Sequence, residues 1–211
     1  MPVWLNRFPA VVTRRRASLA SWRTAAQTLM RHPSVAGQVL TIVIFSFVAS
    51  VAAAGGPPGK LELKTTAFAP GGTIPTQFTC SGSNESPALF WNQPPARTQS
   101  LVLIVDDPDA PAGDWVHWVV YNLPASARQL PGHVPPGDGV AGGGKQGVND
   151  FSRPGWGGPC PPPGTPHRYF FRLYAVDTVL TVQGSARRQK VDAAMKGHIL
   201  AQAELMGTFS R

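Results

Sequence analysis

"LVLIVDDPDAPAGDWVHWVVYNL", Leu101 to Leu123, sets two apolar runs on either side of four carboxylates (Asp106, Asp107, Asp109, Asp114), two prolines and a histidine close to two tryptophans. Both runs are rich in β-branched and aromatic residues, so they read as strands, Ser100–Val105 and Trp115–Leu123, joined by a proline-bearing turn. The same signature recurs outward along the chain: Leu61–Thr65, Pro75–Cys80 (opened by its proline), Ala88–Asn92 and "HRYFFRLYAVD", His167–Asp177. Between these runs stand turn formers such as "APGGT", "SGSNESP" and "NLPASARQLPG". Short strands punctuated by Pro and Gly predict a mainly β chain, an all-β sandwich. The segment Pro131–Pro166 carries too much Gly and Pro for regular structure, and a loop of that length inside a compact domain is usually functional. Near the end, Val191, Met195, His198, Ile199 and Gln202 recur at helical steps, predicting a C-terminal helix over Gln189–Gln202, after which "ELMGTFS" can return as a last strand.

The chain has 211 residues, 43% apolar and 14% charged, a globular balance. Its formal charge of +8 would suggest a nucleic-acid or anionic-membrane partner if spread evenly. It is not spread evenly. Residues 1–54 hold six of the nineteen basic residues and no acid, which leaves thirteen basic against eleven acidic residues beyond. Nucleic acid is therefore not expected as a partner. Residues 1–54 have the layout of a secretory leader: arginines first, then an apolar centre, Val39–Val51, ending in Ala52-Ala53-Ala54. The centre falls short of the ~20 residues a spanning helix needs. Cleavage is expected near Ala54, with an uncleaved anchor as the alternative and the only route to a membrane contact. A start at Met30 would leave a signal of ordinary length, and Arg14-Arg15-Arg16 lies too far from the apolar run to read as a twin-arginine signal. Residues 55–60, "GGPPGK", are a flexible tether, and 61–211 form the domain.

The two cysteines, Cys80 and Cys160, both follow the expected cleavage site. An even count in an exported chain suggests a disulfide, and closing a loop of that length contributes roughly 4 kcal/mol on the chain-entropy model; the alternative is two buried thiols.

Six blocks in order, "NESPALFW" (Asn84–Trp91), "DDPDAP" (Asp106–Pro111), "HWVVYNLP" (His117–Pro124), Asn149-Asp150, "GGPCPPPGTPHRY" (Gly157–Tyr169) and "AMKGHILAQAELMGTF" (Ala194–Phe209), resemble the phosphatidylethanolamine-binding proteins, specifically their bacterial Raf-kinase-inhibitor-like branch. The resemblance runs from Lys60 to Arg211. It implies a Greek-key β-sandwich with a small anion pocket at one end, where Asp107, His117 and His167 converge and Trp115, the Gly158–Pro162 loop with its Gly158, Pro161 and Pro162, and Tyr169 form the walls. Elementary chemistry supports this grouping. Two protonated imidazoles can both donate to phosphate oxygens, a buried carboxylate beside them orients one ring and favours its charged form, and glycine-rich backbone can offer N–H groups. Pro108 and Pro111 then fix the turn that aims Asp107. Asp109 is expected to cap that turn through its own backbone, Asp106 and Asp114 to be solvated loop charges, and Asn84 and Ser86 to bond loop backbone. His133 is expected on the surface and His198 on the helix, neither in the pocket.

The expected function is that of an exported, periplasmic or secreted bacterial protein that binds or regulates, its partner a phosphate-type anion or phosphorylated head group. A protein partner and a second copy of the chain are also admitted. The alternative is a phosphoester hydrolase using Asp107, His117 and His167 as an acid–base or zinc-ligand set. It lacks an HExxH pair, a nucleophile elbow and a two-metal carboxylate spacing, and Cys160 paired with Cys80 would have no thiolate. No cofactor and no resident metal are called for. A protease or kinase inhibitor is the third reading, with no inhibitory loop identifiable.

Overall fold

The computed structural model describes residues 60–182 and 186–211; the expected leader and most of the tether lie outside the described residues. The described residues are mainly β, in two antiparallel sheets with one α-helix. β1 (Leu63–Lys64), β2 (Leu89–Trp91) and β5 (Gln129–Leu130) form the smaller sheet in the order β1-β2-β5. β3 (Ser100–Asp107), β4 (Trp115–Pro124), β6 (Lys145–Gln146), β7 (His167–Val176) and β8 (Ile199–Phe209) form the larger, in the order β6-β4-β3-β7-β8.

β3 is central and buried along its whole length, which is why its sequence is a continuous apolar run without the alternation of a half-exposed strand. Its two faces feed two apolar clusters. Leu101, Leu103 and Val105 join residues of the smaller sheet, Leu63, Leu89, Trp91 and Leu130, so the two sheets share one core. Val102 and Ile104 face the opposite way, against Val191 and Met195 of α1 (Arg188–Met195).

α1 ends at Met195, not Gln202, and the expected last strand is correspondingly longer, beginning at Ile199. Gly197 takes φ +84°, a left-handed conformation that closes a helix, and Ile199 onward pairs along the whole of β7. His198 accordingly lies between helix and strand, bonded to Asp177 at 2.8 Å. Pro75–Cys80 is not a strand either: Thr76–Phe78 is a short 3-10 turn in which the Phe78 and Thr79 amides donate to the Pro75 and Thr76 carbonyls. Local i→i+3 bonds satisfy this backbone, and Phe78 is still buried.

Asp106 is not a solvated charge. It is fully buried on the α1 side of the sheet, paired with Arg172 of β7 and with Arg188 of α1, the latter at 2.6 Å. Asp114 meets the same Arg188 at 2.5 Å. Cys80 and Cys160 lie at disulfide distance, their sulfurs 2.07 Å apart.

Candidate functional site

Antiparallel pairing brings the end of β3 and the starts of β4 and β7 to one end of the larger sheet. Asp107 is the last residue of β3 and pairs with Trp115, the first of β4, while His167 is the first of β7. The ladder between β3 and β4 slips between Val105–Trp118 and Asp106–Val116, leaving His117 as the extra residue of a β-bulge. Val116 belongs to the cluster under α1 and Trp118 to the core between the sheets, so the bulge gives His117 a direction of its own, toward the pocket.

β6 covers β4 only at Val120–Tyr121, and the loop after β6 completes the rest of that edge. Asp150 Oδ2 accepts the Val116 amide at 2.8 Å, the Gly157 amide donates to the His117 carbonyl at 3.0 Å, and the buried Asn149 bonds the Gly155 carbonyl at 2.9 Å. The bulge is thus held from outside by the Asn149-Asp150 pair.

These elements enclose a cavity of about 230 Å³ whose floor is Asp107, His117 and His167 and whose walls include Trp115, Phe151, Pro161 and Pro162. That is below the roughly 300–1,000 Å³ of sites for drug-sized ligands. Six of the eight residues predicted for the site line it. Gly158 and Tyr169 stand behind the lining. The Gly158 amide donates to Asn84 Oδ1 at 2.8 Å and so is not offered to a ligand; a side chain there would meet the Phe78 carbonyl at 2.4 Å. The Tyr169 ring packs edge-on against His117 at 5.2 Å, and its hydroxyl is buried beside Asp107.

His167 Nδ1 donates to Asp107 Oδ2 at 2.8 Å, and Asp107 Oδ1 accepts the Asp109 amide at 2.9 Å. The turn is therefore capped by Asp107, not by Asp109. Asp109 instead takes the Arg168 guanidinium through both oxygens, at 2.7 and 2.9 Å, and this pairing holds its pKa down at about 2. His117 Nδ1 donates to the Gly157 carbonyl at 2.5 Å. Nδ1 is committed in both rings, so what they offer a ligand comes from Nε2.

Burial drives the His117 pKa below the ordinary imidazole value, outweighing the Gly157 carbonyl and the Asp107 charge, which pull upward. Burial and the neighbouring Asp107 charge push the Tyr169 hydroxyl up, keeping it protonated. The His117 shift predicts a pH dependence. A group whose folded pKa is depressed below the unfolded value of about 6.5 takes up its proton preferentially on unfolding, so its stability contribution is full above that value and lost as pH falls below it. The urea unfolding free energy of the ligand-free protein should decline between about pH 7.5 and pH 5.5, by at most roughly 1.4 kcal/mol per pH unit, and a His117→Asn variant should show a shallower decline. Equal slopes in the two proteins would remove His117 as the cause.

Phe151, Ala110 and Ala112 also line the cavity and were not predicted, while Cys160 lines it as part of the expected Gly158–Pro162 wall. Phe151 stands edge-on to both Trp115 at 5.6 Å and His117 at 5.4 Å; its only signal in the sequence is its position after Asn149-Asp150. Arg211 supports the wall from outside, donating to the Pro161 carbonyl at 2.8 Å. Asn84 and Ser86 bond loop backbone as expected, and His133 is an exposed partner of Glu85 at 3.1 Å. Among the described residues no three His, Cys, Asp or Glu side chains are grouped so as to hold a metal ion, and no helix is long and apolar enough to cross a membrane.

A family model described as phosphatidylethanolamine-binding protein matches residues 64–210. A UPF0098 protein of Methanothermobacter thermautotrophicus is 48% identical over 151 residues, 72% of this chain and 99% of that protein. One from Aquifex aeolicus is 45% identical over 153 residues, 72% of this chain and 89% of its own length. Among solved structures, the putative phosphatidylethanolamine-binding protein homolog CT736 from Chlamydia trachomatis is 38% identical, with a TM-score of 0.67 over 73% of this chain and 99% of its own. Escherichia coli YbcL, described as a new member of the mammalian PEBP family, is 31% identical with a TM-score of 0.65, over 72% and 99%.

Proposed function

The chain belongs to the phosphatidylethanolamine-binding protein family, and from that premise we propose that it is an exported ligand-binding protein whose pocket takes a phosphate-type anion or a phosphorylated head group. One observation carries the reading: Asp107, His117 and His167, up to sixty positions apart in the chain, line one small cavity at the end of the sheet.

The chemistry supports an anion in a specific way. Asp107 brings a negative charge into the pocket, and the imidazole of His167 bonded to it can offset that charge when protonated. A bound anion then favours the protonated form of His117, the form that burial opposes in its absence. With Nδ1 of each ring already committed, two Nε2–H groups converge on acceptor oxygens. The apolar walls, Trp115, Phe151 and the two prolines, suit the organic part of a head group. Export is supported by the leader-like residues 1–54 and by two cysteines positioned for a bridge, a pairing that persists in oxidising compartments.

Phosphate or phosphorylethanolamine should raise the melting temperature. At a hundredfold excess over Kd, mass action contributes about 2.7 kcal/mol. For a domain of this size that is roughly 5–10 °C. His167→Ala or Asp107→Asn should abolish the rise while leaving the ligand-free transition cooperative. A wild-type transition that millimolar ligand leaves unmoved would defeat the proposal.

A further inference from the structure

A second cavity, of about 270 Å³, lies beside the segment whose Gly157 carbonyl holds His117, and its lining includes Asn84, Glu85, Ser86, His133, Arg153 and Trp156. We propose that it is a binding site for a small organic carboxylate, anchored on Arg153.

The first argument is the inventory of donors. Arg168, Arg172, Arg187 and Arg188 each pair with a carboxylate and Arg128 and Arg211 with carbonyl oxygens, whereas the guanidiniums of Arg153 and of Arg97, which is not in this lining, make no ion pair or hydrogen bond among the described residues. Asn84 spends its carbonyl oxygen on the Gly158 amide and keeps its NH₂ uncommitted among the described residues. Ser86 is buried, accepts the Val134 amide at 2.9 Å, and retains its own hydroxyl proton. A guanidinium fork, an amide NH₂ and a hydroxyl are all donors, and they call for a ligand rich in acceptors.

Charge then narrows the class. Glu85 sits in the same lining, paired with His133 at 3.1 Å. One unpaired cation beside an acid suits a monoanion, not the second charge of a phosphate. The apolar remainder of the lining, Trp156 and the prolines Pro135 and Pro136, accommodates an organic body behind the carboxylate. The backbone adds to this picture. Asn84 and His133, both in the lining, and Ser152, next to Arg153, have φ of 58°, 58° and 59°, the left-handed region that non-glycine residues avoid and that clusters at ligand clamps.

The test is a benzoate titration of the isotope-labelled full chain followed by amide chemical shifts, with sodium chloride matching ionic strength. Saturable shifts are expected at Asn84, His133 and Arg153 and at the Trp156 indole N–H. Arg153→Ala, an exposed position, should weaken them about tenfold or more, the loss of one bidentate charged pair, and His167→Ala should leave them unchanged. Shifts that fail to saturate, that chloride reproduces, that survive Arg153→Ala, or that move to Trp115, Phe151 and His167 would each overturn the assignment. So would inorganic phosphate binding these residues more tightly than benzoate. None of these outcomes depends on the phosphate response of the main pocket.

Discussion

Breaking the bridge proposed between Cys80 and Cys160, by reduction or by the double Cys80→Ala, Cys160→Ala variant, is expected to lower the unfolding free energy by about 4 kcal/mol. The cause lies in the unfolded chain: the two cysteines are eighty positions apart, and releasing a loop of that length returns a large conformational entropy to the denatured ensemble. The folded state carries a further consequence, because Cys160 lines the pocket next to Pro161 and Pro162. Without the bridge, that wall is held by the Cys80 amide on the Pro159 carbonyl at 3.0 Å and by Arg211 on the Pro161 carbonyl at 2.8 Å. Ligand affinity should therefore fall as well, by less than the His167→Ala variant produces. Urea unfolding with and without a dithiol reductant measures the first effect, and thiol titration of the protein purified without reductant should find no free thiol. Two titratable thiols, or a change in stability below about 1 kcal/mol, would refute the expectation.

Asp106→Ala should cost a comparable amount, about 3 kcal/mol or more. The carboxylate has no exposure and joins three elements: β3 that carries it, β7 through Arg172 and α1 through Arg188. Removing it leaves two guanidiniums about three-quarters buried with reduced compensation, Arg172 keeping Glu204 at 3.1 Å and Arg188 keeping Asp114 and Asp192. The same physics predicts a rescue. Asp106→Leu, Arg172→Met and Arg188→Met together leave no buried charge unpaired and should recover most of the loss. If Asp106→Ala unfolds within about 0.5 kcal/mol of wild type, the cluster is not what docks α1.

Both predictions concern residues whose roles the sequence signalled unequally. The cysteines announce themselves by count and by position after a leader-like segment. Asp106 does not: it stands beside Asp107 in a run that looks like a solvated turn, and only the extension of β3 by two residues turns one carboxylate toward α1 and the other toward the pocket. A strand sends alternate side chains to opposite faces, so adjacent aspartates acquire unrelated surroundings once the strand includes them.

The same distinction holds across the molecule. Short-range pattern determined the strand character of Ser100–Val105, Trp115–Leu123 and His167–Asp177, because β-branched and aromatic residues suit a pleated, buried surface wherever it forms. Ordered blocks of sequence determined the family and named the floor of the pocket. Tertiary structure decided what depends on partners distant in the chain. It cut the helix at Met195, since pairing Ile199–Phe209 with β7 satisfies more backbone than another helical turn would. It placed the bulge that aims His117, and it set Phe151 in the wall of the cavity. Local periodicity carries no information about which residue of a neighbouring strand will stand opposite, and that register is what turns an aspartate and two histidines into a site.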